Sequence, residues 1–144
     1  MIEQDTIELL RECDAGIKMG VAAIDEVLDN AQDEALRKLL SKCKSEHEQL
    51  KKSILSALER FHDEGKNPNP MAKTMSTVKT NMEMMMKPTD ATIADLITDG
   101  CNMGVKSLSK YLNQYAAADE NAKDCCKKLI ALEEQLAKDL RGYL

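Results

Sequence analysis

Cys43 and His47 stand four residues apart, so on a helix they share one face, and the sequence offers them two further partners in Cys101 and Glu133. Thiolate, imidazole and carboxylate together bind zinc or iron tetrahedrally, which makes these four residues candidate metal ligands. The same residues also support plainer chemistry: a buried hydrogen bond between His47 and Glu133, with the two cysteines packed as small apolar side chains. His62, beside Asp63 and Glu64 where a helical pattern ends, suits a surface position at the negative end of a helix dipole. The run Met82-Glu83-Met84-Met85-Met86 brings soft thioethers that suit copper(I) or an adaptable partner surface. Met84 and Met86 fall off its apolar stripe and are the candidates for a protein interface, such as a homodimer contact. The sequence holds no phosphate-cradling Gly-rich loop after a strand, no nucleophile elbow and no triad order, so a non-enzymatic role is expected and no cofactor is required.

The elements that must position these residues are helices. The apolar content is 43 % but the aromatic content only 3 %, a balance of Ala, Leu, Lys, Glu and Met that favours an all-α fold. A chain of 144 residues suffices for one core and one domain, 1–144. Its net charge of −5, with both signs interspersed, provides no basic surface for nucleic acid. No apolar run approaches the ~20 residues of a membrane span, and Met1 to Asp5 carries no signal-peptide pattern, so a cytoplasmic protein is expected. An odd cysteine count, with Cys13, Cys43 and Cys101 on apolar helical faces, suits reduced thiols; of Cys125 and Cys126, one should face the core and one the surface.

Hydrophobic spacing predicts a first helix capped by Asp5-Thr6 and running to about Asp29. A second starts at Asp33, with the seam Leu36, Leu40, Cys43, His47, Leu50, Ile54, Ala57 and Phe61. Together they form a hairpin over 5–64. A crossover over 65–90 opens with Gly65 and Asn67-Pro68-Asn69-Pro70, and Met71, Met75, Val78, Met82 and Met85 predict a short Met-rich helix within it. It is long enough to travel the length of a bundle. A second hairpin over 91–144 buries Ile93, Ile97, Cys101, Val105, Leu108 and Leu112, then Cys126, Leu129, Glu133, Leu136 and Leu140. His47 and Glu133 are thus polar residues on apolar stripes.

The hairpins echo each other. Lys18-Met19-Gly20-Val21 returns as Asn102-Met103-Gly104-Val105, and His47-Glu48-Gln49-Leu50 lies over Glu133-Glu134-Gln135-Leu136. Gly16, Gly20, Gly100 and Gly104 each cost ~1 kcal/mol of helix propensity relative to Ala, so they are expected where helices approach closely, Gly against Gly or against a bulky neighbour.

With Asp14-Ala15-Gly16 and Asp99-Gly100 opening corresponding stretches, the paired Met-Gly-Val blocks, the long crossover and Tyr111/Tyr115 closing the third helix, the chain resembles the ferritin-like superfamily, in particular uncharacterised bacterial ferritin-like proteins of this size. The resemblance implies a ferritin-like up-down four-helix bundle. In metal-loaded relatives the first and third helices each supply a Glu, and the second and fourth each supply Glu-x-x-His, to two iron ions. Here the single Glu positions fall near Ile17 and Cys101, and the paired positions read His47-x-x-Leu50 and Glu133-x-x-Leu136. Only Glu133 keeps its type, so the dinuclear iron site is degenerate. The expectation is a structural or protein-interaction module that self-associates as a homodimer. The alternative is an iron- or zinc-binding redox or storage protein using Cys43, His47, Cys101 and Glu133.

Overall fold

The computed structural model describes residues 2–70, 73, 80, 81, 83, 84, 87 and 89–144. Its long elements are α1 (Ile2–Leu28), α2 (Glu34–Glu59), α3 (Asp90–Gln114) and α4 (Glu120–Asp139), the last ending in a 3-10 turn, Leu140–Tyr143. Among the described residues there is no strand, and no helix is long and apolar enough to cross a membrane. Three starts follow ordinary capping chemistry. Asp33, Thr89 and Asp119 each sit in extended backbone and accept the amide of the residue three positions on.

The first helix departs from expectation. It begins at Ile2, and Asp5 and Thr6 lie inside it. Their side chains accept the amides of Ala117 (3.0 Å) and Asp119 (2.8 Å), fastening the α3–α4 turn rather than capping α1. At the opposite end the Asp90 carboxylate accepts from Gln32 N and Asp33 N at 2.7 and 2.9 Å, and the Tyr143 hydroxyl donates to Asp33 Oδ2. The start of α1 therefore meets the end of α3, and the start of α3 meets the end of α1. These two helices run antiparallel, so α2 and α3 run in the same direction and the 65–90 connection carries the chain from one end of the bundle to the other.

The second helix stops at Glu59, five residues before the expected limit of its hairpin half. His62 N donates to Glu59 O and Asp63 N to Leu58 O, the paired bonds of a Schellman closure, and His62 occupies its left-handed position with φ 56°. That conformation costs a non-Gly residue roughly 1 kcal/mol. His62→Gly is accordingly expected to raise the unfolding free energy by about 0.5–1 kcal/mol, as read by urea denaturation.

The crossover helix expected around Met71, Met75, Val78, Met82 and Met85 lies for the most part outside the described residues, as does Met86. Met84 is described, and it is buried with Ile24, Val27, Leu40, Ile93 and Leu140. It packs within that cluster.

The buried side chains fall into two apolar clusters. One gathers Leu9, Leu10, Cys13, Ile17, Leu50, Ile54, Leu108 and Leu129, among others; the second gathers Ile24, Leu36, Leu40, Cys43, Ile97, Cys101, Leu136 and their neighbours. Along α2 the boundary falls between Cys43 and Leu50, and along α4 between Leu129 and Leu136. His47 and Glu133 occupy that boundary.

Candidate functional site

One residue from each helix forms a polar cross-section of the core: Gly20 from α1, His47 from α2, Gly104 from α3 and Glu133 from α4. His47 is 1 % exposed and Glu133 8 %. His47 Nε2 lies 2.8 Å from Glu133 Oε1, and Nδ1 lies 2.8 Å from the Cys43 carbonyl oxygen. Both ring nitrogens thus point at oxygens that only accept, an arrangement satisfied in full by an imidazolium donating to each. Burial alone would pull the imidazole pKa down. The Cys43 and Glu133 hydrogen bonds, and the Glu133 charge, override it and hold His47 at about 10, up from 6.5.

The two glycines belong to the matching Met-Gly-Val blocks, and both face this pair. A Cβ on Gly20 would meet Glu133 Oε1 and the His47 ring at 3.5 Å; one on Gly104 would meet the Glu133 carboxylate at 3.7 Å. The bulky neighbour anticipated for these glycines is therefore the His47–Glu133 pair. Gly16 lies against Leu129 and Leu108, whereas Gly100 has nothing within 4 Å of its would-be Cβ. Gly100→Ala is expected to stabilise the protein by up to ~1 kcal/mol through helix propensity, measured by chemical denaturation.

The four candidate ligands do come to one level of the bundle. Cys43 Sγ sits 3.4 Å from His47 Nδ1, the ring nitrogen that faces away from Glu133. Cys101 is 2 % exposed; burial, the nearby Glu133 charge and its hydrogen bond to Glu133 push its thiol pKa far upward, so it is held as a neutral thiol. Their present bonds are to one another. Among the described residues, no group of three or more His, Cys, Asp or Glu side chains is arranged to hold a metal ion. The pair of iron ions that the resemblance implies does not fit the residues present. Ile17, Leu50 and Leu136, at positions that the resemblance assigns to ligands, are buried apolar side chains, which leaves Glu133 as the one carboxylate of the cross-section.

A second buried polar cluster escaped the sequence reading. Asp14 is fully buried; its Oδ2 accepts from the Lys66 amide at 3.0 Å and pairs with Lys18 Nζ at 2.7 Å. Lys18 Nζ also donates to the Lys66 carbonyl and to Asn67 Oδ1, while the Lys66 ammonium pairs with Glu12. Together these bonds tie the first residues of the crossover to α1. The available signal was the one that exposed His47 and Glu133: a charged residue on an apolar stripe, here between Cys13 and Ile17.

Compared with family models, curated proteins and solved structures, the chain matches none.

Proposed function

We propose that this protein is a ferritin-like helical bundle whose polar centre is an internal His47–Glu133 ion pair in the place where metal-loaded relatives hold iron, and that it acts as a structural or protein-interaction module rather than as an enzyme. The observation that carries this reading is the closure of the centre. Each ring nitrogen of His47 is spent on an acceptor of the bundle, which supports an internal, structural role for the pair. Self-association as a homodimer belongs to the same proposal. Ile2, Met103 and Leu144 are the large apolar side chains exposed among the described residues, so a partner would chiefly meet polar helix faces.

The convergence of Cys43, His47, Cys101 and Glu133 favours a second reading, a protein that binds iron or zinc through an altered ligand set. A metal ion would displace the proton between His47 and Glu133 and the Cys101 thiol proton. Elemental analysis of untagged protein, purified without chelator under reducing and oxygen-free conditions, separates the two. Metal-free, folded protein is the expected result. Near-stoichiometric iron or zinc that is lost in His47→Ala would overturn the structural reading and establish the metal-binding one.

A further inference from the structure

α1 and α4 run in the same direction, and their contacts keep a constant register. Thr6 accepts the Asp119 amide, Gly16 faces Leu129 and Gly20 faces Glu133, each pair separated by 113 positions. The same register sets Cys13 opposite Cys126, one helical turn before the Gly16–Leu129 contact. Both thiols are 0 % exposed and belong to one apolar cluster. The expectation that one of Cys125 and Cys126 would face the surface is corrected here: Cys125 is only 6 % exposed, because α4 packs against all three other helices and its buried arc is wide enough for neighbouring positions.

We infer that Cys13 and Cys126 form an oxidation site, at which a peroxide converts the two facing thiols into an intramolecular disulfide that staples α1 to α4. Cys126 is the attacking sulfur. Its Sγ donates to the Leu108 carbonyl at 3.7 Å, and the neighbouring Cys13 thiol draws the Cys126 pKa down against the effect of burial while its own is held well up. The Cys126 sulfur attacks one peroxide oxygen, the O–O bond breaks, and the thiol proton leaves with the departing oxygen as water. Cys126 is then a sulfenic acid. The Cys13 sulfur attacks it, the S–O bond breaks and a second water departs with the Cys13 proton. Two thiols are oxidised by two electrons, and one peroxide is reduced to two waters. Cys125 cannot replace Cys13 as the partner, because adjacent helical positions point about 100° apart.

The test treats reduced, full-length protein with hydrogen peroxide, alkylates the remaining thiols and maps non-reduced peptides by mass spectrometry. The expected product is a monomer whose peptides are joined through Cys13 and Cys126. That product is absent in Cys13→Ala and Cys126→Ala and retained in Cys125→Ala. Its denaturation midpoint should lie above that of the reduced protein and return on addition of a dithiol, because a cross-link closing so long a loop restricts the unfolded chain. Thiols that stay reduced at Cys13 and Cys126, or a link made through Cys125 or between two molecules, would overturn the proposal. The wild-type peptide map decides the matter even where an alanine variant fails to fold.

Discussion

Replacing His47 with Ala is expected to cost about 3 to 5 kcal/mol of stability, because it strands the Glu133 carboxylate in the core without its 2.8 Å partner. Glu133→Ala should cost a similar amount for the converse reason. The double variant should be far less damaged than the sum of the two, since it leaves no unpaired charge behind. Urea denaturation of the four proteins measures the coupling, and a value near zero would mean that the contact contributes nothing. A pH series supplies an independent reading. His47 is held at about 10 in the folded protein against an ordinary 6.5. A pKa raised by folding contributes stability that is complete below the unfolded value and is lost as pH rises through the folded one. Stability should therefore begin to fall above pH 6.5 and continue to fall through about 10. Near pH 7 the unfolded thiols are almost fully protonated, so the slope there is chiefly that of His47 and should be largely lost in His47→Ala; towards pH 8 the thiols held protonated by the fold add a slope of the same sign that the variant keeps.

Gly65→Ala is the second variant with a large expected effect, about 3 kcal/mol of destabilisation. Gly65 has φ +93°, which an alanine adopts only under strain, and a Cβ there would overlap Asp14 Oδ2. Asp14 is short, fully buried and already bonded to the Lys66 amide and the Lys18 ammonium, so its carboxylate has nowhere to retreat. Two controls separate strain from overlap. Gly65→Asn, which tolerates the left-handed region better, should remain strongly destabilised. In an Asp14→Ala background, Gly65→Ala should cost only the backbone strain of roughly 1 to 2 kcal/mol. Equal costs in both backgrounds would show that Asp14 does not constrain Gly65. Proteolysis at the start of the crossover should accelerate in Gly65→Ala, because the bonds from Lys66 and Asn67 to α1 are lost with it.

Much of this protein was legible from local chemistry. Three- and four-residue apolar spacing located four helices, and Asp33 marked the start of the second, because an N-cap needs only a short side chain and an amide three residues away. His47 and Glu133 stood out because a polar residue on an apolar stripe must find a partner inside. Other features had no local reading. Asp5 and Thr6 look like a cap from sequence, yet they spend their oxygens on a turn more than one hundred positions away. Asp14 carried the same stripe signal as His47, but the amide it serves is that of Lys66, 52 positions along the chain.

The sequence by itself determined the helices, their buried faces and the chemical types at the centre, since each depends on residues within a few turns of one another. Only the tertiary structure decided that the glycines of two distant Met-Gly-Val blocks face one His–Glu pair, that Cys13 meets Cys126, and that Met84 lies in the core. Those outcomes follow from the direction and register in which whole helices pack, which no local spacing encodes.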